Sequence, residues 1–435
     1  RECGPTFDVV NHCPESTSAQ RMERDLGLWR RKVLRRCYMS LRLDVVIFLS
    51  VASMIAGVSL YHFEFNHTAW PPQDSIEDLS PECAREHAEL EASGIDHSLF
   101  NVSLPPWPAE AASGSAIAYL ASCGHVDRLD LVARVFQRLY RPGDAYLYHA
   151  DEILLEALGK RLSGALGREL PSNVRLLKNE HSGRVYYFGH TANIVLALRK
   201  LMDMEWRWLI RLHDGSYPVH SPEYMRNYFS ARPGVNFIDV KPFNPEHWMV
   251  PRLDMMHCCR SWAVRVAGHH FPQDEIEQSG FSWFQGSEWW VITRELGSYL
   301  ASEKLQPFFD LMQYRVNVEE IIWATIVAQI PDFAQLVAQP LIWFLFDHIA
   351  GVTTRDSEHS PIHLDDASWE FWHGDLESRL ADTFFILTVT TSGSKRLMQW
   401  ADSTIERERH FFSAAAEPEL TSEPSIDSAL RTGLP

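Results

Sequence analysis

Hydrophobic residues between positions 116 and 212 fall into short apolar runs separated by longer stretches with helical spacing. Runs typical of buried strands cover residues 116–123, 144–149, 173–177 and 208–212. Stretches with hydrophobic residues on one helical face cover residues 127–140, 153–166 and 192–204. Strands that alternate with helices predict an α/β domain whose mainly parallel sheet is covered by helices on both faces. Beyond Gly297 the pattern is mostly helical.

An apolar run of a different kind spans residues 45–61 and is about the minimum length for a membrane-spanning helix. Six cations stand just before it, at Arg30, Arg31, Lys32, Arg35, Arg36 and Arg42. The positive-inside rule then places the N-terminal segment in the cytosol and the rest of the chain in the lumen. A buried core helix and an uncleaved signal-like segment are the alternatives. The clustered cations favour a single-pass anchor in the secretory pathway.

The segments on either side of the folded domain have a polar composition. Residues 62–112 are rich in Pro, Ser, Glu and Ala without periodicity, and they carry glycosylation sequons at Asn66 and Asn101. The C-terminal residues are polar and low in complexity, which predicts disorder. The predicted organisation is a cytosolic segment (1–44), an anchor (45–61), a stem (62–112), a folded domain (113–412) and a disordered tail (413–435).

Charge and cysteine content narrow the class of protein. The formal net charge is −17, and the cationic run before the anchor is the one evident basic cluster, so a nucleic-acid partner is not expected. Of the seven cysteines, four follow the anchor and can form one or two disulfides in an oxidising lumen, with a pairing that spacing does not define: Cys83, Cys123, Cys258 and Cys259. Asp254 and His257 precede the last two, but this spacing matches no standard zinc site.

One candidate site follows the second predicted strand, which ends in His149-Ala150-Asp151. In open α/β sheets, ligands bind beyond the carboxyl ends of the strands. A histidine and an aspartate at this place can hold a uracil or a ribose by hydrogen bonds. Asp151 could equally cap the next helix.

A second candidate is the acidic pair Glu319-Glu320, which precedes an apolar helix containing Trp323. Adjacent carboxylates at a helix start point to different sides, so they are not expected to act as a dyad. One can stabilise the helix through its dipole. The other can have its pKa raised by desolvation and serve as a general base. Two solvated acids in the first turn are the simpler local explanation.

Five ordered blocks carry a more specific signal: residues 129–151, 208–219, 284–300, 302–331 and 369–376. They include LYRPGDAYLYHAD, WLIRLHDGSYPV, FQGSEWWVITR, NVEEIIWAT and WEFWHGDL. Together they resemble the core-2/I-branching N-acetylglucosaminyltransferases of glycosyltransferase family 14, which also contains the peptide O-xylosyltransferases. The ending Trp323-Ala324-Thr325 favours the core-2/I branch. The resemblance covers roughly residues 116–410.

The resemblance implies a GT-A-like fold and an inverting glycosyltransferase of the Golgi membrane, with a type II topology and a lumenal catalytic domain. UDP-GlcNAc is the implied donor, a glycan or glycoprotein the acceptor, and transfer of xylose from UDP-xylose to protein the alternative. No metal or other cofactor is implied, and no Asp-x-Asp motif ends a strand. The implied site residues are the base Glu320, the donor-binding His149, Asp151, Arg407 and Arg409, and the acceptor-binding Arg265, Trp369 and Phe371.

The chain departs from the family pattern at two places. Ser216 stands where the family has the Asp of its Asp-x-Pro motif, and residues 384–388 lack the cation of the corresponding family segment. Lys395 and Arg396 follow a short distance on. Because cations neutralise a leaving diphosphate, these changes leave open a second class of function, a relative that binds glycans without transferring a sugar.

Overall fold

The structure is a computed structural model that describes parts of the chain within Ser75–Pro435. The described residues are Arg85, 96–102, 116–181, 188–243, 282–313, 318–343, 380–387, 389–390 and 393–416, the backbone of 255–258 and 262–265, and isolated positions between 366 and 378. The predicted anchor, Asn66, Cys83 and Cys259 lie outside them. Within the described residues, no helix combines the length and the apolar character needed to cross a bilayer.

A seven-stranded sheet forms the centre of the domain, with the strand order β12-β6-β11-β4-β1-β2-β3. Its strands are β1 (Ile117–Cys123), β2 (Ala145–Ala150), β3 (Val174–Lys178), β4 (Trp208–His213), β6 (Asn236–Phe237), β11 (Val291–Thr293) and β12 (Val337–Ala338). Strands β3, β2, β1 and β4 are all parallel, whereas β11 runs antiparallel to both β4 and β6. The predicted mainly parallel sheet is therefore confirmed.

Helices connect the strands and cover the sheet. They are α1 (Leu129–Leu139), α2 (Glu152–Leu166), α3 (Phe188–Leu201), α4 (Pro222–Ser230), α5 (Arg294–Leu300), α6 (Gln306–Met312), α7 (Ile322–Gln329), α8 (Pro331–Ala334) and α9 (Lys395–Ala416). A three-stranded sheet places β14 (Phe385–Ile386) between β5 (Tyr217–Pro218) and β13 (Ile342–Trp343). Two further pairs join β7 (Lys241–Pro242) to β10 (Phe284–Gln285) and β8 (Met255–Cys258) to β9 (Trp262–Arg265). The elements predicted between residues 116 and 212 all occur, with ends shifted by a few residues.

Strand β1 shows why the sheet is buried on both faces. Tyr119 and Ala121 pack into the core beneath α1 and α2, whereas Ala118 and Leu120 pack into a second core with α3 and α5. Since successive side chains of a strand point to opposite faces, an almost uninterrupted apolar run such as this one requires cover on both sides. The ring of Tyr119 stacks on that of Tyr146 in β2, with 5.2 Å between their centroids.

Part of the predicted stem belongs to the folded domain. Residues His97–Phe100 form a 3-10 helix whose start is capped by the Asp96 carboxylate, which accepts the backbone N–H of Ser98. Leu99 and Phe100 are buried, and the Phe100 ring packs edge-on against Phe308 of α6. The two apolar side chains of this segment therefore pack into the core on the α6 side.

The C-terminal helix α9 is fixed to the domain by two carboxylates. Asp402 accepts hydrogen bonds from Arg134 and Arg138 of α1 and from the hydroxyl of Tyr217. One turn and a half later, Glu408 accepts the backbone N–H of Ser221 and lies 2.5 Å from the ring of His220. The helix continues to Ala416, three residues beyond the predicted start of the disordered tail.

Candidate active site at the carboxyl edge of the sheet

The carboxyl ends of β4, β1, β2 and β3 meet at one edge of the sheet, here called the carboxyl edge. The register places Ser122 of β1 between His149 of β2 and His213 of β4. Because β11 runs antiparallel to β4, with Val291 opposite Ile210, the residues just before β11 reach the same edge. Side chains from five segments can therefore converge there.

A row of hydrogen bonds crosses the carboxyl edge from β4 to the start of α2. Arg211 Nη1 donates to Ser122 Oγ at 2.7 Å, and this hydroxyl lies 2.6 Å from His149 Nε2. On the other side of the ring, His149 Nδ1 lies 2.8 Å from Asn179 Oδ1. Asn179 Nδ2 then donates to Asp151 Oδ1 at 2.9 Å. The His149 and Asp151 predicted for one site are thus brought together through Asn179.

Burial keeps the ring of His149 neutral. The side chain is buried, and the resulting loss of solvation, together with the nearby charge of Arg211, lowers the pKa of His149 to about 3. Asp151 is exposed, and it makes no capping hydrogen bond to α2 in the described structure. The capping alternative for Asp151 is therefore not realised.

An ion cluster anchors the β4 end of this row. Arg211 is 0% exposed, and its Nη2 donates to Glu288 Oε2 at 3.1 Å. His190 of α3 places Nε2 2.9 Å from the same oxygen. Burial alone would raise the pKa of Glu288, but the charge and hydrogen bond of His190 and the charge of Arg211 lower it to about 2. The Glu288 carboxylate therefore stays ionised and compensates the buried guanidinium.

Asp214 organises the loop that follows β1. Its carboxylate accepts the backbone N–H groups of Gly124 and His125, each at 2.9 Å, and Arg128 Nη1 at 3.0 Å. Burial opposes ionisation, but the side-chain hydrogen bonds of His125 and His213 and the charge of Arg128 hold the pKa of Asp214 well below its usual range. This aspartate fixes the backbone around the site and has few lone pairs left for a ligand.

Ser216 has a structural role in the turn that follows β4. Its hydroxyl accepts the backbone N–H of His213 at 3.0 Å, and its own N–H donates to the His213 carbonyl. The ring of His213 packs against Trp289, with 4.6 Å between centroids. Ser216 therefore closes the turn after β4.

The acidic pair lies next to the segment that carries Glu288. Val318–Glu320 form a 3-10 helix, and the carbonyl of Glu320 accepts the N–H of Gly286 at 2.8 Å. Glu319 is 2% exposed, whereas Glu320 is partly exposed. The pair is therefore not two solvated acids, because the 3-10 turn directs the side chain of Glu319 into the protein. Glu320 is the member of the pair with access to solvent.

The predicted phosphate-binding arginines lie away from this edge. Arg409 Nη2 donates to the carbonyl of Arg138, in the last turn of α1, and Arg407 donates to Ser403 and Thr404 within α9. The start of α9 lies nearer to the carboxyl edge. Val389, six residues before Lys395, donates its N–H to the carbonyl of Gly215 just after β4. Fourteen residues of α9 separate Lys395 from Arg409, or about 21 Å of helix.

The predicted acceptor residues are only partly described. Arg265 ends β9, of which the backbone alone is described, and Phe371 lies outside the described residues. Trp369 is 7% exposed and packs against Trp400, with Arg396 over its ring at 5.3 Å from the centroid. Its indole therefore contributes to the core instead of forming an open face for a sugar. Among the described residues, no group of three or more His, Cys, Asp or Glu side chains is arranged to hold a metal ion.

The pattern of the sequence does not predict the cluster of Arg211, Glu288 and His190, or the two linking residues Ser122 and Asn179. One signal was available, since Arg211 interrupts the apolar strand WLIRL, where an unpaired charge would be costly. Its partner could not be found in the same way, because Glu288 is 77 residues away in sequence.

Comparisons with known proteins identify the family of this chain. Residues 117–360, more than half of the chain, match the model of the core-2/I-branching enzyme family. Xylosyltransferase oxt of Drosophila melanogaster is 24% identical over 232 residues, which are 51% of this chain and 25% of that protein. The corresponding protein of Drosophila pseudoobscura pseudoobscura gives the same values. The chain thus spans about a quarter of the length of the curated relatives that it matches.

Two solved structures are similar at low sequence identity. Apo mouse xyloside xylosyltransferase 1 is 10% identical, with 56% of this chain and 94% of that chain covered and a TM-score of 0.30. The mannosyltransferase Ktr4p from S. cerevisiae is 10% identical, with coverages of 61% and 82% and a TM-score of 0.25. On the family match over residues 117–360, this chain belongs to the core-2/I-branching enzyme family, which is a family of glycosyltransferases.

Proposed function

We propose that the protein is an inverting, metal-independent glycosyltransferase that moves a sugar from a UDP-sugar to a hydroxyl of a glycan acceptor. The observation that carries this proposal is the hydrogen-bonded row that ends in the exposed Asp151 carboxylate at the carboxyl edge. Ligands of open α/β sheets bind at this edge. The family match covers the same strands.

Asp151 is the proposed contact to the donor nucleotide. Asn179 holds its Oδ1, and the carboxylate is exposed at the start of α2. A carboxylate in this position can accept hydrogen bonds from ribose hydroxyls or from the uracil N–H. Both ring nitrogens of His149 are within hydrogen-bonding distance of protein side chains, so His149 supports Asp151 and does not offer its own donor to the nucleotide.

Glu320 is the proposed general base. It removes the proton from an acceptor hydroxyl, and the oxygen attacks the anomeric carbon from the face opposite UDP. The new C–O bond forms as the bond to UDP breaks, so the configuration inverts and UDP leaves with the electron pair. Glu288 is less suited to this role, because His190 and Arg211 hold its pKa near 2 and make it a weak base. Glu319 is buried, whereas Glu320 reaches solvent.

Cations at the start of α9 are proposed to stabilise the leaving diphosphate in place of a metal ion. Lys395 is exposed, and the chain just before it is hydrogen-bonded to Gly215 at the carboxyl edge. A cation next to phosphate oxygens forms strong charge-assisted hydrogen bonds. Arg407 and Arg409, which the family resemblance implied, lie too far along α9 for this role.

The donor sugar has two candidates. Trp323-Ala324-Thr325 favours UDP-GlcNAc through the resemblance to the core-2/I branch. The curated relatives are named xylosyltransferases, which favours UDP-xylose. The cationic run before residues 45–61 supports a type II membrane protein with the described domain in the lumen. The resemblance to the core-2/I branch implies that this membrane is that of the Golgi.

A glycan-binding relative without transferase activity is the second candidate function. It is favoured by Ser216, which is occupied in a turn after β4, and by the absence of a cation in the sequence 384–388. Both candidates can bind a sugar ligand, but only the enzyme releases UDP in proportion to added acceptor.

Acceptor-dependent UDP release by the purified chain, measured across a panel of UDP-sugars, tests the proposal. Glu320→Gln keeps the size of the side chain but cannot accept a proton, so it should lower turnover by about 10²–10⁴-fold. UDP affinity should be nearly unchanged, because the base contacts the acceptor. Release that is unaffected in Glu320→Gln, or absent with every donor in the wild type, would reject the enzyme proposed here.

Chelation tests the leaving-group chemistry separately. Transfer should persist in EDTA, since the proposed counter-charge is a lysine ammonium. Activity that disappears in EDTA and returns with Mn²⁺ would show that a metal ion, and not the start of α9, neutralises the diphosphate.

A further inference from the structure

We propose that Arg211 and Ser122 are positioning residues that act through His149 and Asn179 to aim the Asp151 carboxylate at the donor. The part of this inference that concerns the donor rests on the proposed function. The part that concerns the hydrogen-bonded row itself does not, because the row exists in the protein without any ligand.

The direction of every hydrogen bond in the row follows from its two ends. Arginine has only donors, so Arg211 Nη1 donates and Ser122 Oγ accepts. A serine oxygen can accept twice, so the Asp151 end of the row decides the next bond. The Asp151 carboxylate accepts from Asn179 Nδ2, which leaves the Asn179 oxygen to accept from His149 Nδ1. Nε2 of the neutral ring then accepts the hydroxyl proton of Ser122. The neutral ring therefore carries its proton on Nδ1.

The second half of the row is fixed by the same reasoning. His149 Nδ1–H donates to Asn179, so the atom that faces it is the amide oxygen. This orientation turns the NH₂ group of Asn179 toward Asp151, whose ionised carboxylate only accepts. The row thus runs without ambiguity from a buried cation to an exposed anion, and it selects one histidine tautomer and one amide orientation.

Neighbouring contacts keep the row in place. Arg211 also donates to the carbonyl of Leu212, and Glu288 compensates its charge, so the first donor cannot rotate away. Ser122 and His149 are directly paired residues of β1 and β2, so the sheet register sets their separation. Asp151, in contrast, makes no capping bond to α2 in the described structure, and Asn179 is what orients it.

The tautomer of His149 provides the test, because a purely structural role for Ser122 does not predict it. In the full-length chain with ¹⁵N-labelled histidine, the ¹⁵N chemical shifts of His149 should report a protonated Nδ1 and an unprotonated Nε2. The signals are assigned from their loss in His149→Gln. A protonated Nε2 in the wild type would overturn the proposal, whether or not the protein transfers a sugar.

Ser122→Ala removes the link between Arg211 and His149 while Arg211 Nη1 keeps its bond to Leu212. The Nε2 signal of His149 should shift, and the KM for the UDP-sugar should rise by roughly 2- to 12-fold, the effect of one neutral hydrogen bond, with kcat little changed. Ser403→Ala, at an exposed serine of α9, is the matched control and should change neither readout.

Asn179→Asp separates orientation from packing, because it preserves the shape of the side chain. An aspartate can still accept from His149 Nδ1 but cannot donate to Asp151, and it adds a like charge beside that carboxylate. The donor KM should therefore rise more than in Ser122→Ala. A donor KM that stays at the wild-type value in both variants would overturn the proposal. A wild type that binds no UDP-sugar would reject the proposed function, and the tautomer of His149 would then be the test of the hydrogen-bonded row itself.

Discussion

The ion pair between Arg211 and Glu288 is the part of the site whose loss should be most visible in the stability of the protein. Glu288→Gln keeps the volume of the side chain and removes its charge. The guanidinium of Arg211, which is 0% exposed, would then be buried beside a neutral amide. Breaking a buried pair by removing one partner costs about 3–5 kcal/mol.

The pKa of Glu288 gives an independent magnitude. The folded protein lowers it from 4.5 to about 2. Since a tenfold change in proton affinity equals about 1.4 kcal/mol, the ionised form contributes about 3 kcal/mol at pH 7. A depressed carboxylate pKa stabilises the folded state above the unfolded value, and this contribution is lost as the pH falls from 4.5 toward 2.

Urea unfolding of the wild type and of Glu288→Gln at two pH values measures both estimates. The free energies of unfolding should differ by about 3 kcal/mol at pH 7 and by about 1.5 kcal/mol at pH 3, because at pH 3 the unfolded wild type takes up a proton at Glu288 that the folded state does not. Glu156→Gln, at an exposed acid paired with Lys160 on α2, is the control and should unfold like the wild type. A difference below about 0.5 kcal/mol at pH 7, or one that does not depend on pH, would refute this reasoning.

Three other substitutions test neighbouring parts of the domain. Gly286→Ala should destabilise the protein strongly in urea unfolding and lower turnover, because the added Cβ would clash with the carbonyl of Asp239 and displace the backbone N–H that donates to Glu320. Near-wild-type stability would contradict that packing. Asp402→Ala removes the carboxylate that accepts hydrogen bonds from Arg134, Arg138 and Tyr217. The amide hydrogens of α9 should therefore exchange faster than in the wild type, and unchanged exchange would contradict this role. Lys395→Ala should weaken UDP binding by about tenfold or more in calorimetry, whereas Arg409→Ala should leave the affinity unchanged. A loss of affinity in Arg409→Ala alone would show that the C-terminal part of α9 binds the nucleotide.

The central sheet could be predicted because its information is local. The runs around Tyr119 and Tyr146 are apolar enough to require cover on both faces, and amphipathic stretches of the right length separate them. The same pattern placed His149 and Asp151 after the second strand and therefore at the carboxyl edge. Their proximity to each other was predicted, but the intervening Asn179 was not, because it depends on the pairing of β2 with β3.

The parts that sequence alone did not define depend on contacts between distant segments. The pairing of Arg211 with Glu288 requires β11 to run antiparallel beside β4, and no feature of either segment specifies that direction. The burial of Glu319 was not predicted, because it depends on a 3-10 turn in place of an ordinary helical first turn. Arg409 lies far from the carboxyl edge because Asp402 fixes α9 against α1. Helical periodicity predicts the helix but not the place where it packs.

The measurement that tests the central claim most directly is the calorimetric titration of UDP into the purified chain and into Asp151→Ala. If the carboxyl edge is the nucleotide site, the wild type binds UDP, and Asp151→Ala weakens binding by about tenfold or more, as expected for a hydrogen bond to a charged group. Asp203→Ala, at an exposed aspartate between α3 and β4 on the opposite edge, should bind UDP like the wild type. A wild type that does not bind UDP, or an Asp151→Ala variant that binds it equally well, would contradict the account.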